Sequence, residues 1–519
     1  MKNTIRKLTT LMLALLFTAS LPLTVLADVL SLNIADGSID IGDTSATQND
    51  TPHPHSGTVV VTGTSTEHNV SVDVTQNVTV VLDNVNINTS DSDGAAVEVN
   101  TKSSDAVVTV ELNGENTLAS DTGHAGLEVT GSGELVIQDE TTLKDNKLVD
   151  GADGASLEAT AGYGAAGIGG KIYEDGNNIT ITGGTITATG ADGGAGIGGG
   201  DNGRGCNITI AGGNVTAHGS TGAAGIGGGE NQNRYDNSKK YADNITISGG
   251  TVNAYGGDSG AGIGSGSNSN VGSISITGGT VTAEAGQQAA GIGGGMGGDV
   301  ESITISGGTV TATGGYLGAG IGGGDGGNVG SIAVSDGTVT ATGGKEAAGI
   351  GGGEGGKSGP ISFSGDSQVT AIGGDYANDI GGGAGQDAVT PDTSKLTANG
   401  WYQAGADGER VSGTFVASVP GAPAAQQPGY FTVNSTWMQS REDGVLTVTS
   451  GEEDAALTIQ GWAIRGLHST GIHTLVFVTA QAETTLDIAK LASECQAADT
   501  YVITHTGAET LLTRNGEIL

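Results

Sequence analysis

The chain has 519 residues, 97 of them glycine, with only two cysteines and a formal net charge of −37 at pH 7. An acid excess on this scale repels nucleic acid and anionic membranes, so neither is an expected partner, and it favours divalent cations. Cys206 and Cys495 lie in different candidate domains, and no Cys/His cluster is present, which excludes a disulfide framework and a zinc site.

The first element is a leader. Lys2, Arg6 and Lys7 precede an apolar run from Leu8 to Leu26, and Val25-Leu26-Ala27 reads as a small-residue cleavage site. Residues 1–27 are therefore expected to be a secretory signal peptide. Losing those three cations would take the net charge from −37 to −37 − 3 = −40. No later apolar run reaches membrane-spanning length, so the mature chain is expected to be extracellular, either released or held non-covalently at a cell surface.

Residues 28–56 read as a lead-in, and 57–150 as irregular strand-rich coils. The stretches NVTVVLDNVNIN (Asn77–Asn88), AVVTVELNGENTL (Ala106–Leu118) and GELVIQD (Gly133–Asp139) alternate apolar and polar residues as strands do. From 151 to 388 the pattern becomes periodic. The motif AGIGGG places isoleucine at 168, 197, 226, 263, 292, 321, 350 and 380, at intervals of 29, 29, 37, 29, 29, 29 and 30 residues. A fixed period of this size means one structural unit stacked on copies of itself. Within a unit, Ile303 and Ile305 face one way and Thr304 the other, while Gly307-Gly308 and Gly314-Gly315 mark corners. Three short strands per unit make one coil of a β-solenoid, and stacking buries the Ile, Val and Ala columns at about 4.8 Å per coil. The 37-residue interval holds an insertion within Glu230–Asp243. Residues 389–429, with Pro391, Pro420, Pro423 and Pro428, read as a linker. Residues 430–519 carry strands at VLTVTSG, ALTIQGWAI and HTLVFVTA and a short helix over Thr485–Gln496, a small α+β module.

NVTVVLDNVNIN, GAAVEV, VTVELNGENTL and the GAGIGGG coils together resemble the carbohydrate-binding right-handed parallel β-helix proteins secreted by Clostridia. The resemblance covers most of residues 57–388. It implies an all-β, right-handed parallel β-helix, an acidic polysaccharide ligand of the polygalacturonate type, calcium as a helper ion, and a likeness to pectate-lyase folds. The C-terminal module lies outside it.

Two kinds of candidate residues follow. Asp201, Glu230, Asp325 and Glu354 stand four residues after a motif isoleucine, a corner column that could share Ca²⁺ with turn carbonyls. Asp83, Asn84, Asp91 and Asp93 form a second oxygen-rich patch. Solvated turn chemistry is the simpler reading of both groups. The insertion gathers Arg234, Tyr235, Lys239, Lys240 and Tyr241, where cations suit uronate carboxylates and tyrosines suit sugar rings. No catalytic motif is legible: there is no nucleophile elbow and no HExxH. The expectation is a non-catalytic polysaccharide-binding protein. A surface adhesin meeting a protein partner through the C-terminal module is the second reading, and a calcium-dependent lyase the third. The threonine rows, such as Thr309/Thr311/Thr313, are interrupted at Asn214, His218 and Tyr255, which disfavours an ice-binding face.

Overall fold

A computed structural model describes residues 29–92, 94–144, 147–152, 154–232, 240–397, 399–405, 410–412, 431–433, 437–442, 444–469, 472–496 and 499–519. The leader, most of the insertion and part of the linker lie outside these residues.

Residues 30–404 form a parallel β-helix. One face is a sheet in which twelve parallel strands, from Ile39–Ile41 to Ile380–Gly381, stack in coil order. The other faces belong to a 22-stranded sheet that carries two strand columns, typified by Ile179–Ile181 and Thr185–Thr189. Equal spacing in the sequence becomes equal position in space. Each motif isoleucine pairs with the next, from Ile168↔Ile197 to Ile350↔Ile380. The core is these isoleucines together with columns such as Ile179/Ile208/Ile245, Ile186/Val215/Val252 and Ala188/Ala217/Ala254, all buried.

The glycine after each motif isoleucine is a packing requirement. From Gly169 to Gly381 this column holds φ between +130° and +139°, which a side chain rarely adopts. A Cβ on Gly264 would lie 1.9 Å from the Gly293 carbonyl oxygen of the next coil. Asparagine serves at another corner. Asn178, Asn207 and Asn244 take left-handed φ of +58°, +55° and +53°. Their amides form a ladder, with Asn207 Nδ2 donating to Asn178 Oδ1 and Asn244 Nδ2 to Asn207 Oδ1, both at 2.8 Å. The 37-residue interval does not disturb the stack, because Ile226 still pairs with Ile263 and Ile208 with Ile245.

Parallel pairing runs past both ends of the visible repeat. Leu30–Asn33 pairs with Val59–Thr62, and Ile39–Ile41 with Val70–Val72, so the lead-in supplies a first coil. The hairpin strands Ser45–Gln48 and Thr51–Pro54 then continue that sheet in antiparallel fashion. Such a change of direction blunts the edge against further parallel addition. At the other end Trp401–Ala404 pairs in parallel with Gln368–Ala371, adding a coil inside the segment read as linker.

The module from residue 431 has its own core, including Phe431, Leu457, Phe477, Ile488 and Tyr501. Two sheets and the helices Gly461–Ser469 and Ile488–Glu494 surround it. Two boundaries differ from the sequence reading. The strand from Asp454 stops at Gln460, and the helix starts at Gly461 where a continued strand was expected. The second helix starts at Ile488, because Thr485–Asp487 pair with Thr474–Val476 and Asp487 caps the helix, accepting from the Lys490 amide at 2.8 Å.

Candidate functional site

The turns before and after the motif isoleucine meet on one edge of the solenoid. The amide four residues after the isoleucine donates to the carbonyl four residues before the isoleucine of the preceding coil. Asp201 does so to Gly164, Glu230 to Gly193, Asp325 to Gln288 and Glu354 to Leu317, each at 2.8 Å. Among the described residues of the coils, four large apolar side chains are exposed, and all four are tyrosines on this edge. Tyr163 is 56% exposed, Tyr173 64%, Tyr316 49% and Tyr376 64%.

Two diagonal contacts organise the far end of the edge. The Glu346 amide donates to the Tyr316 carbonyl, which sets the Tyr316 hydroxyl 3.3 Å from Glu346 Oε1, to which it donates. The Tyr376 amide donates to the Lys345 carbonyl, and the Lys345 ammonium stands 5.4 Å from the centre of the Tyr376 ring. At the near end, the Lys171 Nζ lies 3.8 Å from the buried carboxylate of Glu128, whose other oxygen is 2.7 Å from His124 Nδ1. Burial pushes the Glu128 carboxyl pKa up, and His124 and Lys171 oppose that shift. Tyr173 takes φ +66°. Of the equivalent positions, Asn202, Asn268, Gly297, Gly326, Gly355 and Gly385 are also left-handed, and Asn231 is not. A tyrosine there is strained, because its Cβ crowds the backbone in the left-handed region.

The predicted corner carboxylates fall on the same edge as the tyrosines. Asp201 is buried against Gly193 and accepts from Gln232 Nε2 at 2.6 Å and Asn202 Nδ2 at 3.2 Å. Burial, with Glu230 and Asp192 nearby, raises its pKa to about 6. Burial also raises Asp325, and it raises Glu354 together with its neighbours Glu346 and Asp325. Among the described residues no three His, Cys, Asp or Glu side chains converge as a metal cage. In the second patch Asp83 accepts from Asn84 Nδ2 at 2.8 Å and Asn113 Nδ2 at 2.6 Å, Asp91 is exposed, and Asp93 lies outside the described residues.

The insertion gives a different picture from the one expected. Arg234, Tyr235 and Lys239 lie outside the described residues. Lys240 opens the strand Lys240–Ile247 and pairs with Glu301. Tyr241 is 7% exposed, so its ring is not presented to a ligand. It follows Lys240 in the strand, and successive strand residues point to opposite faces.

Six stretches of the chain match the model of a beta helix repeat: residues 179–201, 208–230, 245–267, 274–296, 303–325 and 332–354. These stretches are β-helix repeats. Each ends on the corner position that holds Asp201, Glu230, Asp325 or Glu354 in four of the six coils. Comparison with curated proteins and with solved structures gave no match.

The tyrosine edge was open to sequence reasoning through departures from the repeat. Within five residues of any motif isoleucine, Tyr163, Tyr173, Tyr316 and Tyr376 are the only aromatic residues, and Lys171 and Lys345 the only Lys or Arg. The aromatic exceptions to the motif are exposed, whereas the serine exceptions Ser265 and Ser267 are buried.

Proposed function

We propose that the protein is an extracellular, non-catalytic polysaccharide-binding rod that holds its ligand along the tyrosine edge. The observation that carries this reading is that, among the described residues of the coils, the exposed aromatic side chains are confined to that one edge. A tyrosine offers a flat apolar face for a sugar ring and a hydroxyl for its oxygens, at little cost in side-chain entropy. Parallel coils supply a rigid, linear scaffold matched to a linear polymer.

The preferred ligand is an acidic, polygalacturonate-like glycan bound with the help of Ca²⁺. The chain's formal charge of −37 opposes direct contact with a polyanion, so a divalent ion must offset the repulsion. On the same edge Glu230, Asp325 and Glu354 offer half-buried carboxylates, Asp201 itself being buried, and Ca²⁺ takes six to eight oxygens, which leaves positions for the glycan's own carboxylates.

The test is retention of the mature protein on insoluble polygalacturonate and on neutral glycans, with Ca²⁺ or with EDTA, while the supernatant is followed for the absorbance of unsaturated uronides. Calcium-dependent retention without product supports the proposal. Product would make the protein a lyase. Failure to be retained on any glycan would leave the surface adhesin, whose support is the separate core of the C-terminal module as a docking domain.

A further inference from the structure

Within five residues of the motif isoleucines, the aromatic and cationic exceptions to the repeat sit at two places. Tyr163, Tyr173 and Lys171 belong to the coil of Ile168, and Tyr316, Lys345 and Tyr376 to the coils of Ile321, Ile350 and Ile380. The four coils between them, those of Ile197, Ile226, Ile263 and Ile292, have no aromatic residue and no Lys or Arg within five residues of the motif isoleucine. Tyr163 and Tyr316 occupy the same position, five residues before the isoleucine. The ladder from Ile168 to Ile321 has five steps, so the two tyrosines lie about 24 Å apart at about 4.8 Å per step.

We propose that the edge is bivalent, with one tyrosine–tyrosine–lysine subsite at each end, and that it selects linear uronans long enough to span both. This rests on the polysaccharide reading above and adds to it the length and charge of the ligand. Each subsite offers two ring platforms and one cation. The cation is what separates a uronate from a neutral sugar. Lys171 is only half-buried: its ammonium pairs at 3.8 Å with the buried Glu128 carboxylate, and its side chain keeps 38% exposure. Lys345 is exposed and stands over the ring of Tyr376. The coils between the subsites present Asp192, Glu230 and Asp258, so a bound uronan would cross them with Ca²⁺ between the two rows of carboxylates.

A rigid spacing makes the length dependence sharp. A chain too short to reach both subsites binds each separately. A chain that reaches gains the effective concentration of its second end, worth roughly a hundredfold or more in affinity.

The experiment is calorimetric titration of the full mature protein, in Ca²⁺, with a trigalacturonate and a dodecagalacturonate. Two doubly substituted proteins are titrated in parallel: Tyr163→Ala with Tyr173→Ala, and Tyr316→Ala with Tyr376→Ala. All four side chains are exposed, and thermal unfolding confirms that the variants fold. The expected result is two trimers bound per chain but one dodecamer, with the dodecamer on the order of a hundredfold tighter. Either pair of substitutions should abolish the gain and leave one trimer site. If the polymer is retained but the trimer and dodecamer bind alike, bivalency fails and polysaccharide binding stands. Tighter binding of an amino-sugar oligomer of equal length would overturn the charge assignment. No binding of any oligomer or polymer would sink the underlying reading.

Discussion

Tyr173 shows most directly how one residue can report function against folding. Its φ of +66° suits the asparagine or glycine found at the equivalent corners, and a tyrosine there costs roughly 1 kcal/mol or more. Tyr173→Asn should therefore raise the urea midpoint while weakening retention on the glycan. A residue with only a structural role would move both in the same direction. Asp201 carries a pH prediction. Its folded pKa of about 6 lies above the ordinary 3.8, so between these values the folded state binds more protons than the unfolded chain. Its contribution to stability is fully present below about pH 4 and is lost as the pH rises through 6, by at most about 3 kcal/mol. Unfolding midpoints measured from pH 4 to 8 should fall across that window, and Asp201→Asn should flatten the fall. Ca²⁺ bound beside Asp201 would do the same at pH 7, and a profile unchanged by the substitution would remove Asp201 as its source.

At the scale of the element, backbone approach limits the coil more tightly than core volume does. Ile263 is buried in the ladder, and trimming it to valine should cost about 1 kcal/mol. Its neighbour Gly264 has no side chain to bury, yet Gly264→Ala should cost well beyond that. The new Cβ would meet the Gly293 carbonyl oxygen at 1.9 Å, on a backbone at φ +139°. Urea denaturation of the two variants side by side gives the order. If Ile263→Val proves the more damaging, the tight coil-to-coil contact is not what fixes the glycine column. The same logic explains why Asn178, Asn207 and Asn244 share a corner, since each tolerates the left-handed turn and bonds to the next through its amide.

For the whole molecule the two cores predict two transitions. The solenoid core runs from Leu32 to Leu396, and the C-terminal core from Phe431 to Ile503, with no residue in common. Scanning calorimetry of the full chain should show two unfolding events. A glycan bound at the tyrosine edge should raise only the solenoid's, because a ligand stabilises the unit that binds it. A shift in the C-terminal transition instead would move the binding site to that module. The rod also sets a distance no single turn could: five coil steps separate the coils of Tyr163 and Tyr316.

The sequence by itself determined the period, the strand alternation, the isoleucine ladder and the glycine corners. In a solenoid, residues one period apart become neighbours, so Ile197 and Ile226 could be paired by counting. It also placed Asp201, Glu230, Asp325 and Glu354 in one column. Tertiary structure decided what counting could not. The first coil at Leu30–Asn33 and the last at Trp401–Ala404 carry no motif, and only their pairing reveals them. Lys240 and Tyr241 look alike as loop residues, but a strand begins at Lys240 and turns the tyrosine inward. The contact of Lys171 with Glu128, and of Glu128 with His124, joins an irregular coil to the first periodic one, across an interval the period does not give. The tyrosines were visible as letters, but their exposure was not. Whether a turn residue stands out or folds under depends on the turns of the coils above and below it, and those turns meet only when the chain is wound.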